Sequence, residues 1–406
     1  MDVRYDDGEA ARELAARTRE FLDEEVIPVE REVLGGDPVT GEQVADLRAA
    51  AREYDVYCPQ IGEEFGGMGV DFRDALPMFE AAGRSLLGPL ACRVDAPDEG
   101  NMHTLELLGT DDQREEYLRP LVAGEVSSGF SMTEPMQGGG SDPKMLKTAA
   151  RKDGDEWVVD GHKWWTTGGT EADFLIVMAR TDPDAHPYEG CSLFLVDADA
   201  DGVAVERDIP HLGGGVTGTG HAEIVFEGVR VPEGNLLGER NEGFQHAQQR
   251  LGPARLTHCM RYSGMAERAL DVAKAYATER EGFGGPLAEK QSLRYDVADA
   301  ETRLHAVRTT VRDAADRIAR GDEARVQVSM SKTFAANVVQ DVVDTCLQAC
   351  GANGIGKDLP ISDFYEAVRQ FRLVDGADEV HKRVVAREAF ADVDPDELAN
   401  VTRYDG

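Results

Sequence analysis

The middle of the chain carries a block of short strands with no helix between them, and this block limits the folds that the whole chain can adopt. Within residues 126–238, stretches such as DFLIVMART, CSLFLVDAD and HAEIVFEGVRVP are β-branched or aromatic, and Gly, Asp and Pro separate them. Consecutive strands of this kind build barrels and sandwiches, whereas strands that alternate with helices build parallel sheets. The pattern therefore predicts a middle β-domain, a β-barrel or sandwich.

Both flanks of this block have helical periodicity. On the N-terminal side, Leu14, Phe21, Leu22 and Val26 recur at helical spacing, and the pattern predicts a helix that ends at Pro28. On the C-terminal side, two apolar stripes indicate long helices with short joints, which is typical of a bundle. Their residues are Leu293, Val297, Leu304, Val307, Val311 and Ile318, then Phe334, Val338, Val342 and Cys346. The predicted fold class is α+β, with an N-terminal all-α domain (1–125), the β-domain (126–238) and a C-terminal four-helix bundle (239–406).

The composition excludes several classes of function. The chain has 77 acidic and 43 basic residues, a formal net charge of −34, yet its hydrophobic content of 41% is that of a folded protein. This charge repels phosphate backbones and anionic lipid, so we expect neither a nucleic-acid partner nor a membrane. The acid-rich, Lys-poor surface indicates a salt-loving cytosol. The N-terminus lacks the apolar core of a signal peptide, and the scattered cysteines indicate free thiols in a reducing cytoplasm, with no metal site.

Residues 213–218, GGGVTG, satisfy a dinucleotide-binding pattern, but the context excludes that interpretation. Such a loop needs a preceding strand and a following helix whose N-terminus holds pyrophosphate. Here the strand HAEIVFEGV follows instead. Any nucleotide cofactor must therefore be bound without this kind of turn.

Two other motifs indicate a flat ligand. In GFSMTEPMQGGGSD, residues 129–142, glycines after an extended stretch permit close approach to a ligand, although a surface hairpin loop would look the same. In GHKWWTTGG, residues 161–169, a Trp can flank an aromatic ring and a Thr hydroxyl can bond its edge, although a packed aromatic corner is the alternative. With both motifs on neighbouring strands, a planar cofactor is predicted.

Arginines on the first bundle helix suggest an anionic ligand. Arg250, Arg255 and Arg261 stand out in RLGPARLTHCMR, and Arg forks suit phosphate. Ordinary ion pairing with the acidic surface is the alternative. In REGFGGPLAEKQ, Arg280 and Gln291 could contact a phosphate, or the segment could be a simple helix–helix turn.

Together these stretches resemble the acyl-CoA dehydrogenase family, in order and spacing from about residue 8 to residue 390. The carrying segments are SMTEP…GGGSD, GHKWWTTGG, GERNEGFQHAQQRLGPAR, REGFGGPLAEKQ and CLQACGANGIGKDLPISDFYEAVRQFRLVDGADEVH. The resemblance implies FAD and an acyl-CoA substrate. It also implies a homodimer or homotetramer, because part of the FAD site would come from a neighbouring subunit.

The resemblance assigns roles to individual residues. Main-chain groups of Phe130, Met132 and Thr133 would meet the flavin edge, Trp165 would cover one face, and the Thr167 hydroxyl would lie by the reactive ring nitrogen, N5. The remaining FAD contacts would be Gly140, Ser141, Ala377 and Glu379, with Arg280, Phe283, Gln291, Gln348 and Gly351 from the neighbour. The substrate contacts would be Ser141, Arg250, Arg255 and Gly376.

Members of this family remove a proton from the α-carbon of an acyl thioester while hydride leaves the β-carbon for the flavin. Most use a Glu just before a Gly-Thr pair, and the matching position here is Asp375, before Gly376-Ala377. Asp378 and Glu379 are expected to start the last helix. The sequence around Asp375 resembles a branch with Asp as the base, which includes modules of fusion proteins with a kinase-like domain and acts on longer, branched or 4-hydroxylated acyl-CoAs. Arg255 stands where other members carry the base, so that variant is excluded.

Two alternatives remain open at this point. An oxidase on the same scaffold, acting on an acyl-CoA or a nitroalkane, would pass electrons to oxygen instead of electron-transfer flavoprotein. A flavin-free scaffold protein is the second alternative, and Trp165, Thr167, Arg280 and Gln348 argue against it.

Overall fold

The structure is a computed structural model that describes residues 5–140 and 142–394. Its N-terminal third is helical. The helices are α1 (Glu9–Phe21), α2 (Ile27–Val33), α3 (Gly41–Glu53), α4 (Phe72–Ala82), α5 (Gly88–Ala91), α6 (Asp98–Leu108), α7 (Asp111–Gln113) and α8 (Arg119–Ala123). Thr110 and Gln113 form a capping box at the start of α7, as the sequence predicts.

The predicted helix end at Pro28 is wrong. A π-helical turn over Leu22–Val26 joins α1 to α2, and the helix runs on to Val33 with Pro28 in the first turn of α2. Proline lacks an N–H group and disrupts the usual bond to the carbonyl four residues earlier. The wider turn that precedes Pro28 accommodates this loss, and the first turn of a helix tolerates proline.

The middle segment forms a mixed sheet. Its strands are β1 (Ser128–Ser131), β2 (Ala149–Asp153), β3 (Glu156–Thr167), β4 (Phe174–Arg180), β5 (Cys191–Asp197), β6 (Val203–Asp208), β7 (His221–Pro232) and β8 (Leu236–Leu237). The strand order is β6-β7-β3-β2-β4-β5-β8, and β1 pairs with β4 in parallel. One face of the sheet closes on a core of its own that includes Trp157, Phe194 and Phe226. Alternate residues of β4 and β5, such as Ile176 and Leu193, join the larger helical core instead.

Long helices complete the chain. They are α9 (Gly243–Glu279), α10 (Gln291–Ala319), α11 (Arg325–Cys350), α12 (Ala352–Ile355), α13 (Ile361–Phe371) and α14 (Asp378–Ala389), with the short hairpin β9 (Glu281–Gly282) and β10 (Gly285–Pro286) between α9 and α10. Helix α11 packs against α9, α10, α13 and α14. The predicted α+β class, with helical, sheet and helical segments in this order, is confirmed. Along the described residues, no helix combines the length and the apolar character needed to cross a bilayer.

Candidate active site

A cleft of about 1390 Å³ lies where the helical segments and the sheet meet. The sheet segment contributes Phe130 and Trp165 to its wall, α6 contributes Glu99, and α9 contributes Arg250. Asp375 lies in the same wall, on the connection between α13 and α14. The cleft therefore brings together side chains from distant parts of the sequence.

A β-bulge in β3 directs Trp165 into this cleft. Lys163 pairs with Ile224 and Thr166 pairs with Ala222, so that Trp164 and Trp165 together lie opposite the single residue Glu223. Trp165 has a φ of 55°, a left-handed conformation that is unusual for a large side chain, and the residue is 43% exposed. An open aromatic ring at a strand end is what the sequence predicts for a surface that covers a planar ligand.

Thr167 and two histidines lie beside Trp165. The Thr167 hydroxyl is 3.0 Å from Nδ1 of His221, whose ring packs at 5.5 Å from that of Trp165 and at 4.4 Å from that of His211. Burial, followed by the nearby His211, lowers the pKa of His221 to about 4. His221 is therefore neutral at neutral pH.

Glu134 anchors the glycine-rich segment that follows β1. Its carboxylate accepts hydrogen bonds from the backbone N–H groups of Gly139 (3.0 Å), Lys147 (2.7 Å) and Thr148 (2.7 Å), and from Nζ of Lys163 (3.1 Å). Burial raises the pKa of Glu134, but Lys163 and these bonds lower it below its ordinary value. Burial lowers the pKa of Lys163 to about 8 in spite of the attraction to Glu134.

This anchoring shapes the part of the cleft that the sequence assigns to the flavin edge. Thr133 accepts a hydrogen bond at its carbonyl from the N–H of Trp164 at 3.0 Å, which ties the segment to β3. Phe130, Met132, Thr133 and Gly140 all line the cleft. The prediction for Ser141 falls outside the described residues.

The three singled-out arginines of α9 all line the cleft, but each also makes a bond within the chain. Arg250 donates to Asn101 Oδ1 at 3.0 Å, and its guanidinium lies 4.2 Å from the centre of the Phe130 ring. Arg255 donates from Nε to the carbonyl oxygen of Asp375 at 2.9 Å. Arg261 donates to the carbonyl of Val94. The arginines therefore make structural hydrogen bonds in the wall of the cleft and also give the wall positive charge.

The Asp375 backbone is held from several sides. Besides Arg255, Nε2 of His381 lies 3.1 Å from its carbonyl oxygen, and Nζ of Lys332 donates to the carbonyl of Gly376 at 2.8 Å. Asp375 has a φ of 55° and Gly376 a φ of 98°, so two consecutive residues are left-handed. Such backbone strain persists only where the surroundings impose it, and it concentrates at functional sites.

The Asp375 carboxyl group is surrounded by basic side chains. Nδ1 of His258 lies 3.0 Å from its Oδ2. Burial alone would raise the pKa of Asp375, but His258, then Arg250, Arg255 and Lys332, lower it below its ordinary value. Asp375 is therefore ionised in this substrate-free state. A substrate that covers the carboxylate would remove it from water and raise this pKa.

Asp378 and Glu379 begin α14, as expected from the sequence. Their environments differ. Asp378 is buried and accepts hydrogen bonds from Arg372 (2.9 Å) and Asn337 (3.0 Å), whereas Glu379 is exposed. Asp378 is thus an anchor of the connection that carries Asp375. Neither Ala377 nor Glu379 lines the cleft, although both are predicted to contact FAD.

The residues predicted to act from a neighbouring subunit lie away from the cleft of their own chain. They are all exposed and lie at one end of the bundle, where α9 ends, α10 begins and α11 ends; these residues are Arg280, Phe283, Gln291, Gln348 and Gly351. Phe283 is 98% exposed at the tip of the β9–β10 hairpin. An exposed phenylalanine of this kind suits a contact with another chain.

Sequence reasoning missed several residues of the cleft. His258 lies in the quoted motif RLGPARLTHCMR, one and two turns from Arg255 and Arg250 along the cleft side of α9, which is a signal that could have identified it. Lys332 and His381 contact the Asp375–Gly376 backbone only through tertiary structure. The loop from His211 to Thr217, which overlaps the GGGVTG segment that is excluded as a dinucleotide-binding turn, also lines the cleft.

The chain matches sequence models of one family along most of its length. Residues 8–125 match the acyl-CoA dehydrogenase N-terminal domain, 129–229 the middle domain and 241–390 the C-terminal domain. Each match follows one of the helical, sheet and helical segments described above.

Individual proteins give the same result. The chain is 38% identical to the probable acyl-CoA dehydrogenase FadE2 of Mycobacterium tuberculosis, over 93% of this chain and 95% of that one. It is also 38% identical to the probable acyl-CoA dehydrogenase IBR3 of Arabidopsis thaliana, over 76% of this chain but only 38% of that longer protein. The structure of butyryl-CoA dehydrogenase from Megasphaera elsdenii superposes with a TM-score of 0.85 at 25% identity, covering 96% of this chain and 100% of that one.

The fold and the cleft thus define a flavoprotein oxidoreductase that acts on CH–CH groups, with FAD as its cofactor. The chain belongs to the acyl-CoA dehydrogenase family.

Proposed function

We propose that this protein desaturates an acyl-CoA thioester between its α and β carbons, and that Asp375 is the base that removes the α-proton. The observation that carries the proposal is an ionised carboxylate, partly buried among basic side chains, in the same cleft as an open tryptophan ring and a threonine hydroxyl. A base must reach the proton that it removes, and its ionised form must be available at the working pH. Asp375 meets the second condition through its basic neighbours.

The residues of the cleft fit FAD. Trp165 offers an exposed aromatic face, and the Thr167 hydroxyl and the backbone of the 130–133 segment offer polar groups beside it. When bound, FAD accepts the hydride that leaves the β-carbon. We propose that Phe130, Met132, Thr133, Gly140, Trp165 and Thr167 hold the flavin part of the cofactor, with Ser141, Ala377 and Glu379 as further contacts.

The backbone around the base suits a developing negative charge on the thioester oxygen. Among the described residues, the N–H groups of Asp375 and Gly376 donate to no acceptor. Arg255 and His381 fix the carbonyl of Asp375, which belongs to the same peptide group as the N–H of Gly376, so the direction of that N–H is set. The N–H of Asp375 lies in the preceding peptide group, next to this fixed one. A donor that is fixed before the charge develops stabilises it without reorganisation. We propose that the N–H of Asp375 binds the thioester oxygen as the α-proton leaves, with Gly376 against the substrate.

The charge of the cleft suits the phosphates of coenzyme A. In addition to Arg250 and Arg255, the arginines Arg325, Arg383 and Arg387 line it, although the chain as a whole has a net charge of −34. A local basic wall in an acidic protein raises the local concentration of an anionic ligand. Arg is also well suited to phosphate because its planar fork can make paired hydrogen bonds.

The proposal is tested by Asp375→Asn, with Asp358→Asn as the control. Asp358 is exposed between α12 and α13 and does not line the cleft. Each variant is mixed anaerobically with an acyl-CoA, and the loss of the yellow flavin absorbance is followed. We expect Asp375→Asn to retain FAD but to lose flavin reduction, and Asp358→Asn to behave like the original protein. Reduction of Asp375→Asn at a near-original rate would refute the assignment of the base.

We further propose that electrons pass to an electron-transfer flavoprotein and that the protein acts as a homodimer or homotetramer in fatty-acid β-oxidation. Exposure of Phe283 and its neighbours at one end of the bundle supports the oligomer. Turnover that requires oxygen and not the flavoprotein would favour an oxidase instead.

The surface charge supports a salt-rich cytoplasm as the working environment. Excess acidic groups repel one another, and salt screens them, with a Debye length that falls from about 30 Å at 0.01 M to about 3 Å at 1 M. The free energy of unfolding should therefore rise over this range of salt. A protein that is most stable without salt would contradict this part of the proposal.

A further inference from the structure

His258 is a buried histidine of the cleft that the mechanism above leaves without a role. It lies on α9 and is only 9% exposed. Tyr262 and Phe371 stack on each other with ring centres 4.6 Å apart, and the His258 ring lies beside this pair, 6.3 Å from Tyr262 at 27° and 6.1 Å from Phe371 at 18°. The imidazole is therefore roughly parallel to its aromatic neighbours.

The hydrogen bonds of His258 define its tautomer. Nδ1 lies 2.7 Å from the carbonyl oxygen of Ala254, one helical turn earlier, and a carbonyl oxygen can only accept. Nδ1 must therefore carry a proton. Burial, followed by Arg261, lowers the pKa of His258 to about 4, so the ring is neutral at neutral pH and Nε2 carries no proton.

The same Nδ1 lies 3.0 Å from Oδ2 of Asp375. Because the N–H is directed at the Ala254 carbonyl, Oδ2 keeps a close contact with it but has no well-directed hydrogen bond. Among the described residues, none forms a hydrogen bond with Oδ1 of Asp375. Oδ2 thus contacts α9, whereas Oδ1 is available to a ligand in the cleft.

We infer that His258 is the positioning residue of the catalytic base, holding Oδ2 of Asp375 so that Oδ1 faces the α-carbon of the substrate. This inference rests on the proposed function of Asp375. The side chain of Asp is one methylene shorter than that of Glu, so its carboxyl group needs support from behind to stay in reach of the substrate. Arg255 and His381 fix the Asp375 carbonyl, and His258 fixes the other end of the residue.

The contact also affects the protonation of the base. The imidazole is neutral at neutral pH, but once it is protonated, near pH 4, its charge favours the ionised carboxylate and lowers the pKa of Asp375, ahead of Arg250, Arg255 and Lys332. The other charged and titratable groups near the pair are Glu99 from α6, Arg250, Arg255, Cys259, Arg261 and Tyr262 from α9, Lys332 from α11 and His381 from α14. These groups remain when His258 alone is replaced.

Two variants of His258 separate positioning from simple packing. His258→Phe keeps an aromatic ring beside the stacked pair of Phe371 and Tyr262 but removes Nδ1. His258→Asn places an amide N–H near the position of Nδ1 and loses the ring. His246→Phe is the control, because His246 is also buried on α9 but does not line the cleft. The measurement is the rate of anaerobic flavin reduction by a saturating acyl-CoA across a range of pH, with the FAD content of each variant.

We expect His258→Phe to keep its FAD and to reduce it about tenfold more slowly, because a base that loses this contact is less well placed for the α-proton. The acid limb of the pH profile should move to higher pH, because the charge of the protonated imidazole no longer favours the ionised carboxylate. His258→Asn should recover most of the rate, and His246→Phe should change neither the rate nor the limb. An unchanged rate and limb in His258→Phe would overturn the inference. A slower rate in His258→Phe with an unshifted acid limb, which His258→Asn does not restore, would also overturn it, because a loss of packing alone gives that result.

If His258→Phe does not retain FAD, His258→Gln replaces it, because its amide reaches the position of Nε2 instead of Nδ1 and the same shift is expected. The parent assignment fails separately, by flavin reduction in Asp375→Asn. An active Asp375→Asn overturns both proposals, whereas an inactive Asp375→Asn beside an unaltered His258→Phe overturns only the role of His258.

Discussion

Replacement of Lys163 by methionine should destabilise the protein and weaken its hold on FAD. Lys163 is fully buried, and its Nζ donates to Glu134 Oε1 at 3.1 Å and to the carbonyl of Met132 at 3.0 Å. The variant leaves a buried carboxylate without its counter-charge. Breaking a buried ion pair in this way typically costs about 3–5 kcal/mol.

Two features place Lys163→Met at the low end of this range, at about 3 kcal/mol. Glu134 keeps its three bonds from the N–H groups of Gly139, Lys147 and Thr148. Burial also lowers the pKa of Lys163 to about 8, so the charged lysine is itself under-compensated and its loss is partly favourable. The net cost is still a large part of the roughly 5–15 kcal/mol that stabilises a typical protein.

The assay is equilibrium unfolding in urea, followed by tryptophan fluorescence, because all three tryptophans lie in β3. Lys147→Met is the control, since the Lys147 side chain is exposed and only its backbone N–H contacts Glu134; it should change stability by less than about 0.5 kcal/mol. Adding Glu134→Gln to Lys163→Met should restore part of the loss by removing the uncompensated charge. A Lys163→Met variant as stable as the original, with full FAD content, would refute this reasoning.

Two further predictions concern other parts of the molecule. Burial raises the pKa of Glu267, but Arg19, Arg308 and Arg84 lower it to about 2. This folded value is below the unfolded value of about 4.3, so the stabilisation is complete above that pH and is lost as pH falls toward 2. Glu267→Gln should therefore lower the free energy of unfolding by about 3 kcal/mol at pH 7 and by little near pH 2, and equal losses by urea unfolding at both pH values would contradict the prediction. Phe283→Asp should yield single chains with less bound FAD, as measured by sedimentation and flavin absorbance, whereas an unchanged mass and FAD content would remove Phe283 from the proposed interface.

The order of helical and strand segments could be predicted because the hydrophobic period of each segment is set within that segment. The apolar stripe of α10 and the strand clusters of the sheet depend on neighbouring residues alone, and the structure has both. The continuation of the first helix past Pro28 could not be predicted, because a π-helical turn leaves no composition signal of its own. Trp165 could be chosen as a ligand surface from its position in WWTT, but the bulge that exposes it follows from the register with β7.

The candidate site likewise contains residues that nearby sequence indicates and residues that only tertiary structure brings in. The prediction of Asp375 as the base rests on the sequence that surrounds it, as do the predictions for the segments at 129–142 and 161–169. Lys332 and His381 contact the backbone of Asp375 and Gly376 from other helices, so no short-range pattern indicates them. Sequence reasoning also assigned Arg255 to the substrate, whereas it holds the carbonyl of Asp375 as well. Such double roles depend on distances that only the folded chain has.

The central claim is that an acyl-CoA delivers its α-proton to Asp375 and its β-hydride to FAD in this cleft. The most direct test is an anaerobic titration of the purified protein, in high salt, with a panel of acyl-CoAs of different length, branching and hydroxylation, while the yellow flavin band is recorded. The account predicts that at least one class of acyl-CoA bleaches the band and that the same compound leaves Asp375→Asn yellow. A flavin-loaded protein that no acyl-CoA bleaches would contradict it.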